Sequence, residues 1–150
     1  MKNINIDHKV IAIIQARVGS TRLPGKVLLD LQGKSVIQHV ADRVSSSKLV
    51  DKTYVATTLL EEDLAIVREC SKIGVGIFCG SKDDVLDRYY QLAKIAIPKH
   101  IVRITADCPV IDPQVIDHVI TKHLEADADY TSNTLEVPYP DGQDVEVFKF

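Results

Sequence analysis

The chain has 150 residues, 45% of them hydrophobic and 26% charged, with a net charge of −3. That is the length and composition of one globular domain with its own core. The acidic balance argues against a general nucleic-acid binder, and no apolar run reaches the roughly 18 residues of a membrane span.

Met1 to Lys9 is polar and lacks a signal-peptide pattern. Val10 to Ile14 is then an unbroken apolar run, as in a strand buried on both faces, and a loop with Gly, Arg and Pro follows it. Ser35 and Gln38 have capping-box spacing, and Val36, Ile37, Val40, Ala41 and Val44 give the helix after them an apolar stripe. Thr53 to Thr57 reads as a second strand. Glu61, Glu62 and Asp63 suit the first turn of a second helix, where the dipole favours negative charge. Gly76 to Cys79 is a short third strand. Ser81 and Asp84 mark another capped start, with Val85, Leu86, Tyr89, Leu92, Ala93 and Ala96 at helical spacing behind them. Ile101 to Thr105 is a fourth strand. Asp112 and Pro113 are the N-cap and first-turn proline of a helix carrying Val115, Ile116, Val119, Ile120 and Leu124. Pro138 to Gly142 has turn chemistry. No repeat, low-complexity stretch or linker divides the chain, so one domain over 1–150 is expected.

Four alternations of strand and helix predict an α/β fold: a mostly parallel sheet with helices on both faces in three α/β/α layers. Ligands of such sheets sit beyond the carboxyl ends of the strands. The unusual residues fall there: Arg17 to Lys26, Thr57 and Thr58, Gly80 to Arg88, and Asp107.

The loop from Gln15 to Lys26 carries three cations, Arg17, Arg22 and Lys26. It adds two hydroxyls, Ser20 and Thr21, and two glycines, Gly19 and Gly25, with no acid among them. Arginines fork onto phosphate oxygens, lysine supplies a compact charge, and glycines let backbone N–H groups approach. The loop is not a P-loop: the glycine spacing is one residue too long, and Val27 stands where Ser or Thr is required. A solvated surface loop with a Pro-Gly turn has the same composition, but its position after a buried strand favours phosphate binding. Asp107, at the end of the fourth strand, suits either a magnesium tether or the cap of the turn before Cys108 and Pro109. In the Gly80 to Arg88 segment, Ser81 and Asp84 fit capping, and Asp87 and Arg88 fit a solvated pair. Tyr89 and Tyr90 read as packing residues, and Asp141 and Asp144 as exposed turn acids. His8, His39, His100, His118 and His123 show no metal-ligand or triad spacing, with His39, His118 and His123 on helix surfaces or boundaries. Cys70, Cys79 and Cys108, odd in number and without zinc-type spacing, read as reduced thiols of a cytoplasmic protein.

Ile14 to Arg17 with Gly25 and Lys26 resembles the signature loop of bacterial sugar-acid cytidylyltransferases. Gly80 to Tyr90, Arg103 to Pro109 and Pro140 to Phe148 also resemble the spore-coat polysaccharide biosynthesis subgroup of that family. The resemblance implies a Rossmann-like, GT-A-like nucleotidyltransferase fold and transfer of CMP from CTP to a sugar or sugar acid, with release of pyrophosphate, in surface polysaccharide biosynthesis. It implies that Arg17, Ser20, Arg22 and Lys26 hold the CTP phosphates, with Gly19 in the same nucleotide-binding loop. Backbone groups around Ala16 and Arg17 would read the cytosine. Arg22, Lys26 and Asp107 would be catalytic, Asp107 also being the Mg2+ ligand, and Ser81, Asp84 and Arg88 would touch the nucleotide or sugar. A homodimer is implied too. Members of this family are considerably longer, and their second metal carboxylate follows the matched region. The chain is therefore expected to be a C-terminally truncated domain or a short form, its last strand leaving a sheet edge open. Two alternatives remain at this level: a non-catalytic nucleotide-binding module or partial subunit, and a related nucleotidyltransferase with another nucleotide or acceptor.

Overall fold

The structure, a computed structural model, describes residues 10–135 and 139–150. His8 and the Pro138 end of the expected turn lie outside them. The first apolar run forms β1 (Val10–Gln15), whose first five residues are buried. A strand apolar at every position must have helices on both of its faces, and β1 does. Val10, Ala12 and Ile14 pack with α1 (Val36–Ser45), α2 (Leu64–Ile73) and α4 (Pro113–Ala126). Ile11 and Ile13 pack on the opposite face with α3 (Val85–Ala96). The expected three layers are present, with three helices on one side and one on the other.

The two-stranded hairpin of β2 (Asp30–Leu31) and β3 (Lys34–Ser35) stands apart from the main sheet. In the main sheet β1 lies parallel between β4 (Lys52–Thr58) and β6 (His100–Thr105), and β5 (Gly76–Gly80) continues beyond β4. On the far side β8 (Glu146–Lys149) runs antiparallel to β6, and β7 (Tyr130–Ser132) antiparallel to β8. The order is thus β5-β4-β1-β6-β8-β7. The last strand is not an edge, as the sequence suggested; β7 covers it. Three residues are too few for β7 to show a strand pattern, which is why it was not anticipated.

The caps are those read from the sequence. Ser35 Oγ accepts from Gln38 N at 3.2 Å, Asp84 Oδ1 from Asp87 N at 2.8 Å, and Asp112 Oδ1 from Gln114 N at 2.8 Å. Glu61–Asp63 differ from expectation. They form a 3₁₀ turn ahead of α2, and Asp63 makes no cap bond there. Two other expectations are corrected. Arg88 is not solvated but 1% exposed. His123 is not a surface residue but fully buried; its Nε2 lies 3.0 Å from His100 Nδ1, and its Nδ1 lies 3.0 Å from Thr131 Oγ1. The start of β6 and the end of α4 meet there, and local spacing carries no sign of it. No helix among the described residues is long and apolar enough to cross a membrane.

Candidate active site

A cleft of about 220 Å³ opens at the carboxyl end of the sheet, where parallel strands deliver their loops. Its walls are Gln15 at the end of β1, the loop residues Ala16, Arg17, Ser20, Thr21, Arg22, Lys26 and Val27, and Thr105 to Asp107 at the end of β6. Because β1 and β6 pair in register through Gln15 and Thr105, the basic loop and Asp107 necessarily leave the sheet side by side. The Ala106 N–H donates to Gln15 O at 3.0 Å and the Ala16 N–H to Ala56 O at 3.0 Å, so both loops start from fixed backbone. The same bonds commit the Ala16 N–H.

The loop closes on Val18, whose carbonyl accepts from Ser20 N at 2.8 Å and Gly25 N at 2.9 Å. Pro24 and Gly25 form the turn that the sequence suggested. Gly25 has φ 70° and ψ 8°, which suits the third position of a type II turn, and Lys26 N donates to Leu23 O at 3.4 Å. Turn and cleft are therefore not alternatives, because the turn is what brings Lys26 back to the strand end. The Val18 N–H donates to Asp63 Oδ1 at 2.6 Å, and the Thr58 hydroxyl donates to Asp63 Oδ2. Asp63, fully buried, thus ties the basic loop to the end of β4 and the start of α2.

Three cations face a single carboxylate among the lining residues. Lys26 Nζ is ion-paired with Asp107 Oδ2, both partly exposed. Partial burial works against the Asp107 charge. Hydrogen bonds from Lys26 and Thr105, with the Lys26 charge, outweigh it and hold the carboxyl below its ordinary value. Arg17 and Arg22 are exposed, at the mouth. The excess positive charge over a narrow polar cleft suits a polyanion.

Of the residues singled out in the sequence, Ala16, Arg17, Ser20, Arg22, Lys26 and Asp107 converge on this cleft. Gly19 turns its flank to the 3₁₀ turn ahead of α2: a Cβ there would lie 2.9 Å from Glu62 Oε1, the end of a flexible side chain. Ser81 and Asp84 are engaged in their own turn, Ser81 Oγ accepting from Asp84 N at 3.1 Å, and they do not line the cleft. Arg88 is buried under α3 and does not line it either. Asp141 and Asp144 are exposed, as expected. Gln15, Thr105 and Asp63 are the site residues that sequence reasoning missed, and Thr58 is noted there only for its place at a strand end. Position after a strand was available as a signal for the first two, but Asp63 looked like any acid at a helix start.

No group of three His, Cys, Asp or Glu residues among those described could hold a metal ion by itself. Magnesium does not require one: it takes one or two carboxylates and completes its shell with substrate phosphates and water. Asp107, an ionised and partly exposed carboxylate beside a polyanion-sized cleft, fits that use.

Among known proteins, the cytidylyltransferase family profile matches residues 11–148. The chain is 38% identical over 126 residues to the spore coat polysaccharide biosynthesis protein SpsF of Bacillus subtilis, covering 81% of this chain and 52% of that protein. It is 38% identical over 118 residues to the 3-deoxy-manno-octulosonate cytidylyltransferase of Trichlorobacter lovleyi, covering 77% and 45%. A solved cytidylyltransferase structure from Leptospira borgpetersenii superposes with a TM-score of 0.90 at 34% identity, over 95% of this chain and 60% of that one. The chain spans about half the length of the curated relatives it matches.

Proposed function

The chain belongs to the cytidylyltransferase family, and from that premise we propose that it moves the CMP group of CTP onto a hydroxyl of a sugar or sugar acid, releasing pyrophosphate. The observation that carries this reading is the convergence of Arg17, Arg22 and Lys26 with Asp107 on one cleft at the carboxyl end of the sheet.

In this reading Arg17 and Ser20 hold the triphosphate, and backbone groups around Ala16 and Arg17 read the cytosine. The acceptor oxygen bonds to the α-phosphorus as the bond to the bridging oxygen breaks, and the electron pair leaves with pyrophosphate. Negative charge grows on that leaving group, and Arg22 and Lys26 stabilise it from fixed positions. Asp107 would hold Mg2+, which when bound supplies further charge neutralisation at the phosphates. Lys26 and Asp107 are each other's partners without substrate, so phosphate binding gives Lys26 a new partner and frees Asp107. Gly19 sets the path of the loop, and Ser81 and Asp84 set the start of α3. The names of SpsF and of the Trichlorobacter lovleyi enzyme point to sugar-acid acceptors and surface polysaccharide assembly. A cytoplasmic homodimer completes the reading, in keeping with three free thiols among the described residues.

Calorimetry with CTP, UTP and ATP, with and without magnesium, tests it. Magnesium-dependent binding that prefers CTP, and that loses its magnesium dependence in Asp107→Asn, is expected. Equal binding of all three nucleotides would overturn the cytidylyl assignment. CTP binding without pyrophosphate release for any acceptor would make the chain a nucleotide-binding module.

A further inference from the structure

Pro140 to Phe148 is a stretch of the sequence that the cleft does not account for, since none of its residues lines the walls. Gln143, within it, reaches the loop that carries Asp107. Its side-chain Oε1 accepts from the Asp112 N–H at 2.8 Å, and its Nε2 donates to the Val110 carbonyl at 2.9 Å. One side chain thus answers a carbonyl and the N–H two residues on, as a neighbouring strand would. A primary amide suits this because it both donates and accepts; an ionised carboxylate has no donor and a Lys or Arg side chain no acceptor.

Gln143 is itself held in the same way. Its backbone carbonyl accepts from Asn133 Nδ2 at 2.7 Å, and Asn133 Oδ1 accepts from the Val145 N–H at 2.9 Å. Asn133 directly follows β7, and Val145 is fully buried. Two side-chain amides in series therefore run from the end of β7, across the lead into β8, to the loop between β6 and α4. The shorter one suffices where β7 and β8 are already paired through Ser132 and Glu146. The longer one spans to the next loop.

Sheet register explains the reach. β6 pairs with β8 through Arg103 and Glu146, antiparallel, and three residues further along each chain stand Ala106 and Gln143. The lead into β8 thus enters beside Asp107, and the Asp144 charge acts on Cys108. The Asp107 loop is fixed at one end by the Ala106 N–H on Gln15 O and at the other by the Asp112 cap of α4. Between them the Ile111 N–H donates to Cys108 O at 3.1 Å, a turn closed on itself. Gln143 bonds the residues on either side of Ile111 and so ties that turn to the sheet.

Resting on the reading of Asp107 as the magnesium ligand, we propose that Gln143 is a positioning residue for Asp107. It clamps the loop from Asp107 to Asp112, so that the carboxylate stands in place before the metal and nucleotide arrive.

The test is the magnesium gain, the ratio of CTP affinity in magnesium to CTP affinity in EDTA. Calorimetry gives it for the wild-type chain, Gln143→Met, Gln143→Asn, Asp107→Asn and Asp117→Ala. Gln143→Met removes both bonds at nearly constant length. Gln143→Asn keeps the amide but falls one carbon short, and carries the test should the first variant not fold. Each should lower the magnesium gain about 10-fold, or abolish a smaller one, the scale for removing an outer partner of a metal site. CTP affinity in EDTA should stay as in wild type. The Asp112 amide should exchange faster with solvent, with protection in β6 kept. Asp117→Ala is the structural control. Asp117 accepts from Ser47, Lys48 and Leu49 ahead of β4, at the other end of the sheet, so its loss should lower the Tm and leave the gain intact. A full magnesium gain in the Gln143 variants would overturn the proposal. An equal loss of gain in Asp117→Ala would make the effect one of general stability, with the same consequence. If Asp107→Asn loses the gain while the Gln143 variants keep it, this inference fails and the metal reading stands. If wild type shows no magnesium gain, both fail.

Discussion

Replacing Asp63 tests whether the basic loop is held from behind. Its carboxylate, fully buried, accepts from the Val18 amide at 2.6 Å and from the Thr58 hydroxyl. Val18 in turn accepts the Ser20 and Gly25 amides, so one carboxylate anchors the peptide on which the loop closes. Asp63→Ala leaves a buried donor, the Thr58 hydroxyl, and a part-buried one, the Val18 amide, without acceptors, at up to about 1–3 kcal/mol each. The loop can recover part of that by opening to water, so the loss divides between global stability and local order. Asp63→Asn keeps an oxygen for Val18 but presents an amide to Thr58, whose oxygen already accepts from Leu60 N at 3.1 Å. The Thr58 hydroxyl then lacks an acceptor, a loss of about 1 kcal/mol. Hydrogen exchange is the assay. In Asp63→Ala the Val18, Ser20 and Gly25 amides should exchange about 10- to 100-fold faster, with protection in β6 nearly unchanged, and tripolyphosphate affinity should fall. Asp63→Asn should restore most of both. Thr58→Val should lose less stability in the Asp63→Asn background than in wild type. If Asp63→Ala lowers global stability while those three amides keep their protection, Asp63 is an ordinary core residue and the anchoring argument is wrong.

Lys26→Ala and Arg22→Ala should each lower turnover by about 10²- to 10³-fold, measured as pyrophosphate release, the scale for losing one preorganised charge stabiliser. Loss of the partly exposed Lys26–Asp107 pair should change the unfolding free energy by less than about 1 kcal/mol. Near-normal turnover in both variants would refute their role. Burial, then the Lys149 charge, lowers the His123 pKa below 6.5, against the opposing pull of Asp127 and Asp129. The unfolded imidazole therefore takes up a proton that the folded one refuses. Stability is full above about pH 6.5 and declines as pH falls toward the folded value. Urea midpoints should fall across this window in wild type and fall less in His123→Gln; equal slopes would refute the assignment. Burial pushes the Cys70 thiol up to about 12, so it should resist a disulfide reagent in the native state and react at the rate of unfolding.

The fold was legible because its signals are local and repeated. Val10 to Ile14 announces a strand covered on both faces, and Ser35, Asp84 and Asp112 announce helix starts within three residues of the amides they cap. The cleft was legible one step further on, because strand order puts the loop after β1 beside the loop after β6. The residues that hold the site were not legible. Asp63 bonds to Val18, 45 positions away, and His100 to His123 across 23. Neither separation leaves a period or a spacing to find. An acid in a first turn is also what a helix dipole favours, so the ordinary explanation for Asp63 was sufficient until its burial was seen.

Gly80 and Arg88 show how two such residues explain each other. In the sequence Gly80 is a turn residue and Arg88 a charge in a first helical turn, where either reading suffices alone. In the structure a Cβ on Gly80 would lie 2.9 Å from Arg88 Cγ and equally close to the Phe78 ring. The backbone of Gly80 is not in the left-handed region, so conformational freedom is not its reason for being glycine. Its missing side chain makes room for the Arg88 stem at the end of β5, and the guanidinium beyond it is buried. A larger residue at 80 would push Arg88 toward solvent, where its donors find water. The depth of Arg88 is therefore set by a glycine eight residues earlier.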